Sequence, residues 1–509
     1  MRNSIFLVLA LVILTVATRL PSLLHPRPIG DETVYSVAAN EVVDGGRPYI
    51  DAVERKPPLL FWTYAAIFEV AGKFNWKALH AVALVWTLGT MTGLYVIGRG
   101  LFDRATGLTA ALFYSIFQPW LTSNDLAFNG ELLMNLPVVW AWAMAFARGW
   151  GRLRLELFAA GALLCAGFLL KQPAAIAAPP LAIYLLLPSY RRSRGLSFNA
   201  SLAQTSILAA GFFGTLALVT LVLWKQGILH EAFYWTITNH DIPHVFWDQG
   251  AILTLAFIAT CLPLLLGAWM AYRDVDGVWK GRTAERKALL LLLAASCLGV
   301  AVGGRFYDHY YIQLIPPLAI LAAPYYALFW AGKTQQAFRR LNRPITYAWL
   351  VLTVALFSCE HWRELASHRE RSEAGRYLAE YSAPDDKIFV WGHAPKIYLD
   401  ARRRPACRYI TTFPLTGYIF GPFTGTDTRD RIIPGAWTIL EQDFRKHPPA
   451  YIVDVQLGAH NAQYPVKNFP ILAKLLTEQY QAVTRTAEGV IYRARGGQTR
   501  AGPSNSDQE

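Results

Sequence analysis

Residues 5–32, IFLVLALVILTVATRLPSLLHPRPIGDE, decide the class of fold. The stretch Ile5–Leu24 has the length that a hydrocarbon core of about 30 Å demands of a helix. Arg2 precedes it, and Thr18-Arg19-Leu20-Pro21 interrupts any small-x-small cleavage site, so it reads as an uncleaved first span rather than a signal peptide. Gly30-Asp31-Glu32 then places two adjacent carboxylates just outside the bilayer. Such groups are costly beside hydrocarbon unless they have partners or a task.

The same pattern repeats along the chain. Hydrophobic residues make up 54% of the 509 residues, with 17 Trp, which is too apolar for an ordinary soluble protein. Further spans read at Ala78–Gly98, Ala105–Leu121, Leu132–Ala147, Leu155–Leu170, Ala174–Leu187, Thr205–Trp224, Ala251–Tyr272, Ala288–Val302, Ile312–Phe329 and Tyr347–Phe357, about eleven in all. Arginines and lysines cluster in alternate loops, among them Arg99 and Arg104, Arg191 to Arg194, and Arg273 to Lys287. That bias sets the N-terminus inside and, with an odd number of spans, the C-terminal part outside. It also explains the net charge of +13 without nucleic acid, which is not expected as a partner.

Beyond the last span the composition changes. Ser372–Tyr381 reads as a helix, Lys387–Gly392 and Ala450–Asp454 as strands, Phe469–Tyr480 as a helix, and Gly489–Tyr492 as a last strand. Alternation of this kind suggests a small α/β unit. The expected organisation is a membrane part over residues 1–359 with an outer loop at 25–77, an α/β domain at 360–495 outside the membrane, and a disordered tail at 496–509. Cys165, Cys261 and Cys297 lie within apolar spans. Cys359 and Cys407 form a weak disulfide pattern that leaves their pairing open.

Polar groups gather on one face. Asp31 has two compatible readings: a cap for a helix beginning near Thr33, with Glu32 favouring the positive helix end, or a base within reach of an incoming hydroxyl, with Glu32 beside it. Arg55 and Lys56 precede Pro57-Pro58, which fixes the backbone and holds the cation in place. A fixed cation can neutralise a phosphate that gains charge as it leaves. The following stretch, Leu59–Val70, is too short for a span and reads as an interfacial helix. Arg305, His309 and Tyr310 lie on the same outer face before Pro316-Pro317, where an arginine fork suits phosphate and the rings suit a sugar or headgroup. Asp125, Asn129 and Glu131 open the fourth span, and Lys171 joins them more weakly. His240, Asp241 and His244 lack a specific metal spacing, and no metal site is assigned.

In their order and topological side, Asp31-Glu32, Lys56-Pro57-Pro58, Glu131 and Arg305…His309-Tyr310…Pro316-Pro317 resemble the GT-C glycosyltransferases. Within that class the likeness is to bacterial aminoarabinose transferases and protein O-mannosyltransferases. The resemblance covers residues 1 to about 360 and continues as the C-terminal periplasmic α/β domain. It implies a polyprenyl-phosphate sugar as donor, chemistry on the periplasmic face of the bacterial inner membrane, and inversion at the anomeric carbon. On this likeness Asp31 matches the acidic residue taken as catalytic, Glu32 its neighbour, and Lys56 the lysine that holds the donor phosphate. Aminoarabinose transferases carry a glutamate directly before that lysine, where it can bind a metal. Here Arg55 stands there and Glu54 lies one further back, which puts both a metal and aminoarabinose in doubt.

The expected activity is therefore transfer of a sugar to a hydroxyl of an envelope glycolipid, polysaccharide or protein. Asp31 and Glu32 serve as the catalytic acids, Lys56, Arg55 and Arg305 hold the phosphate, and Glu131, His309, Tyr310 and Lys171 hold substrate. A transporter would need charges deep within several spans, and these are absent. A bare membrane anchor would have no use for such a cluster.

Overall fold

The computed structural model describes residues 2–146, 153–239, 245–274, 277–333, 336–367, 371–417 and 427–496. Each of the apolar stretches read from the sequence falls on helical structure. The helices are α1 (Arg2–Leu24), α2 (Glu32–Val43), α3 (Pro58–Ala71), α4 (Trp76–Leu101), α5 (Arg104–Phe117), α6 (Gly130–Phe146), α7 (Leu153–Leu170) and α8 (Ala178–Leu186). They continue as α9 (Pro188–Arg194), α10 (Phe198–Lys225), α11 (Leu229–Phe233), α12 (Trp247–Thr260), α13 (Leu262–Arg273), α14 (Thr283–Ala301), α15 (Ile315–Trp330) and α16 (Gln336–Ser367).

Among the described residues, four helices are long and apolar enough to cross a membrane, or up to six if each bent pair is one span. The stretch Ala251–Tyr272, read as one continuous span, is broken: α12 and α13 meet at 73°. Pro263 in the first turn of α13 explains the break, because it has no N–H to donate and its ring displaces the preceding turn.

The segment between α1 and α4 folds against the helices. Pro57 and Pro58 start α3, where a proline costs no hydrogen bond and presets φ. Leu60, Phe61, Tyr64 and Phe68 form its buried stripe, while Val70 is 90% exposed. Tyr64 stands edge-on to Tyr35 of α2, ring centroids 5.8 Å apart, and its hydroxyl donates to the Phe128 carbonyl at 2.6 Å.

Residues 373–494 carry a five-stranded sheet of β1 (Lys387–Trp391), β2 (Arg404–Pro405), β3 (Tyr451–Val455), β4 (Tyr480–Arg485) and β5 (Gly489–Ala494), in the order β2-β1-β3-β5-β4. β1 is parallel to β2 and β3, and β5 is antiparallel to β3 and β4. Every residue of central β3 is buried, as a strand covered on both faces requires. The sequence reading missed β2 and β4. β2 is only two residues long, and β4 is an edge strand whose side chains are mostly not buried, so neither carries an apolar run.

This sheet shares one hydrophobic core with α2 and α3. Val53 N–H donates to the Arg408 carbonyl at 2.8 Å, and Arg404 grips Glu41 of α2 at 2.6 and 3.0 Å. Cys359 is exposed, Cys407 is buried, and both thiols are free. Cys297 is exposed on α14 rather than packed in a core. Of the tail expected at 496–509, residues 497–509 lie outside the described residues, as do His240, Asp241 and His244.

Candidate active site

Asp31 sits at the turn into α2, and glycine geometry brings it there. Gly30 has φ +53°, and a Cβ on it would meet Asn124 Oδ1 at 2.5 Å. The left-handed backbone favours glycine here, with the Asn124 side chain of the turn Ser123–Leu126 packed against it. Asp31 makes no side-chain cap to α2, so the capping reading is corrected. Its Oδ2 instead accepts a hydrogen bond from the Tyr35 hydroxyl at 2.8 Å, one helical turn along.

Asp31 is accessible, yet protein surrounds it at longer range, the combination expected on the wall of a recess. Burial pushes its carboxyl up, but Lys56, then His309 and Lys171, with the Tyr35 hydrogen bond, overcome that and hold it well below the usual carboxylate range. Asp31 is thus ionised at any physiological pH. Burial and the Asp31 charge together push the Tyr35 phenol well above its ordinary value, so Tyr35 remains a donor.

Glu32 plays a different part. It is fully buried; Oε1 accepts from Phe128 N–H at 2.5 Å, and Oε2 from Ile29 N–H at 2.8 Å, with His80 Nε2 at 3.2 Å. With both oxygens committed, Glu32 ties the α1–α2 turn to α4 and the start of α6. The reading of Glu32 as a second catalytic carboxylate is corrected on that geometry.

Lys56 is part-buried, 3.9 Å from Glu54 Oε1, with its ammonium over the Tyr35 ring at 5.8 Å. Its neighbour Arg55 is drawn elsewhere. The Arg55 guanidinium packs on the Phe413 ring of the C-terminal part at 3.9 Å, and its carbonyl accepts from Gln172 at 2.8 Å. Arg55 therefore links the C-terminal part to the loop, while Lys56 lies over Tyr35.

Glu131, Lys171, His309 and Tyr310 converge from three elements. Lys171 Nζ lies 2.8 Å from Glu131 Oε1 and over the Tyr310 ring at 5.1 Å. Gly130 makes room for it, since a Cβ there would meet the Lys171 stem at 2.5 Å. Glu131 Oε2 faces His309 Nε2 at 4.0 Å. Arg305 stacks over Phe246 at 5.4 Å and lies within electrostatic range of Tyr310.

Some groups here were not singled out in the sequence. Tyr35 carried a signal, its spacing of four from Asp31 at a helix start. Asp308 carried none: its partners Thr122 and Asn124 are remote in sequence. Asp125 is fully buried, and burial followed by the nearby Asp308 charge pushes it well above the carboxylate range. Asn129 caps the start of α6 by accepting from Leu132 N–H at 2.9 Å. Among the described residues no three His, Cys, Asp or Glu side chains group as a metal site would require.

Residues 55–224 match the protein family described as dolichyl-phosphate-mannose-protein mannosyltransferase. The fold is similar to that of ArnT from Cupriavidus metallidurans bound to undecaprenyl phosphate, with a TM-score of 0.63 at 15% identity over 95% of this chain and 97% of that one. For the apo state of the same protein the values are 0.62 and 16%, over 96% and 98%. The archaeal oligosaccharyltransferase AglB from Archaeoglobus fulgidus, solved with an inhibitory peptide and a dolichol-phosphate, aligns at 0.52 and 12%, over 97% of this chain and 75% of its own. No curated protein matches by sequence.

Proposed function

We propose that this chain, a membrane glycosyltransferase of the GT-C type, moves a sugar from a polyprenyl-phosphate donor to a hydroxyl of an envelope glycolipid, polysaccharide or protein. The reading places the chemistry on the periplasmic face of the inner membrane. It takes about eleven spans, a cytoplasmic N-terminus and residues 360–495 as a periplasmic domain, in keeping with the basic loops.

The observation that carries it is the juxtaposition of an accessible carboxylate, Asp31, with the ammonium groups of Lys56 and Lys171, whose charges hold it ionised. Lys56, held by the diproline turn, meets the donor phosphate, and Arg305 adds a second cation. Asp31 takes or orients the proton of the acceptor hydroxyl. The acceptor oxygen bonds to the anomeric carbon as the bond from that carbon to the phosphate oxygen breaks, and polyprenyl phosphate leaves on the opposite side. Phosphate is a competent leaving group, so cationic stabilisation is needed more than a general acid, unlike glycosidases with their paired carboxylates. A phosphate beside Lys56 would also offset its charge and raise the proton affinity of Asp31 when the donor is bound. Positioning and electrostatics supply most of the rate.

The test is release of labelled sugar from polyprenyl-phosphate donors by detergent-purified protein, with envelope fractions as acceptors. Transfer that depends on Asp31 supports the reading. No transfer from any hexose or pentose donor would end it.

A further inference from the structure

His309 lies in a short 3-10 turn, Asp308–Leu314, at the mouth of α15. Its Nδ1 is 3.0 Å from Asp308 Oδ1, and that same oxygen accepts from the His309 backbone N–H at 2.8 Å. Asp308 is itself held: the Thr122 hydroxyl donates to Oδ2, and Asn124 Nδ2 lies 3.3 Å from it. A carboxylate so anchored fixes the ring, and when the ring is neutral it sets the tautomer with the proton on Nδ1 and Nε2 left to accept. Tyr307 stacks on the imidazole at 5.8 Å between centroids, and Tyr310 meets it edge-on at 4.9 Å.

Nε2 makes no hydrogen bond among the described residues. It faces Glu131 Oε2 at 4.0 Å, and that oxygen is buried without a hydrogen-bond partner. The gap is too wide for a direct bond. An oxygen seated about 2 Å off the line between the two atoms would lie roughly 2.8 Å from each, a good hydrogen-bond distance for a hydroxyl. The charged groups facing His309 are Asp308 on its own turn, Glu131 from α6 and Asp31 before α2, with Lys171 behind Glu131.

We infer that Asp308 and His309 form an acid–base dyad of this site, and that Nε2 of His309 is the final acceptor of the proton leaving the acceptor hydroxyl. The inference rests on the glycosyltransferase reading and assigns Asp31 to orienting the hydroxyl. As the acceptor oxygen bonds to the anomeric carbon and the carbon–oxygen bond to phosphate breaks, the hydroxyl proton passes to Nε2. The imidazolium so formed is balanced by Asp308 and returns its proton to water in the recess. Asp31, stabilised as an anion by Lys56, is a weak proton acceptor, which fits this division of labour.

The two bases give different pH profiles. With His309 as acceptor, kcat/KM for transfer from undecaprenyl-phosphate hexose or pentose falls as pH drops through a value above the ordinary imidazole one, because the lowering effect of burial is outweighed by Glu131 and Asp308, which favour the protonated ring. With Asp31 alone the rate holds far into acid. His309→Gln should lose about 10²–10⁴-fold in turnover, and Asp308→Asn should lose at least about tenfold and move the acid fall to lower pH. His309→Gly should regain turnover when imidazole is added. Undecaprenyl phosphate binding serves as the folding control, and if the His309 variants fail it, the Asp308→Asn profile decides. Full turnover in His309→Gln, or loss with neither imidazole rescue nor a shifted profile in Asp308→Asn, overturns the dyad alone. A wild-type protein that transfers from no donor overturns the glycosyltransferase reading, and the dyad with it.

Discussion

The Tyr35 hydroxyl donates a 2.8 Å hydrogen bond to Asp31 Oδ2, so the carboxylate at the start of α2 is aimed by its own helix rather than spent on capping it. Because no cap is lost and Asn still offers Tyr35 an acceptor, Asp31→Asn should keep the fold and membrane insertion and forgo only the carboxylate's interaction with the nearby cations. Transfer should fall by about 10²-fold or more, the loss expected when the group that orients the acceptor hydroxyl is removed. A normally folded and fully active Asp31→Asn protein would sink the mechanism.

Glu32 should behave in the opposite way. Its buried oxygens satisfy two backbone amides, so Glu32→Gln replaces the acceptor of one of those amides with a second donor. A stability loss of about 1–3 kcal/mol is expected, with turnover retained in the folded fraction. Thermal melts paired with active-fraction titration distinguish this from a catalytic role, in which turnover would collapse at unchanged stability.

Removing a cation from the leaving group should cost rate. Lys56→Ala is expected to lower turnover on a polyprenyl-phosphate donor by about 10²–10³, as for the loss of one preorganised charge-stabilising group. Arg305→Ala should act in the same direction. If both variants turned over donor normally, the phosphate would have to be held elsewhere.

The depressed carboxyl of Asp31 links stability to pH with a definite sign. Its stabilising contribution is complete above its unfolded value of about 3.9 and is lost as pH falls through the lower folded value. Lys56→Ala removes the largest opposing charge, which raises the folded value and moves that loss to higher pH. Melting temperatures in detergent, compared between wild type and Lys56→Ala below about pH 5, should separate as the solution is acidified. Parallel curves would show that Lys56 does not hold the carboxylate ionised.

A reporter fused after Arg495 should be active only in the periplasm, as the loop charges imply. Cytoplasmic activity there would place Asp31 on the wrong face for a periplasmic reaction.

Patterns carried by neighbouring residues were readable in advance. Apolar runs announced helices such as α1, α4, α10 and α15, because hydrocarbon forces every backbone polar group to be satisfied within its own segment. The diproline at residues 57 and 58 announced α3 through the backbone alone, and buried β1 and β3 announced the α/β part through continuous apolar residues. Asp31, Lys56, Glu131 and His309 stood out because charge beside hydrocarbon needs a reason.

Roles within that cluster depended on partners far away in the chain. Asp31 and Glu32 are adjacent and chemically alike, yet one faces the recess while the other is closed off by Phe128 N–H and His80. Arg55 and Lys56 are also adjacent, but Phe413, more than 300 residues on, draws the guanidinium away. Asp308 and His309 are neighbours in sequence, but the groups that hold the Asp308 carboxylate, Thr122 and Asn124, are remote. Sequence alone determined that this chain crosses a membrane and gathers its charges on one face, since burial and periodicity are local properties. Which carboxylate is accessible, which cation is drawn away and which histidine is oriented were decided by tertiary structure, because hydrogen bonds and desolvation act between residues that only folding brings within a few ångströms.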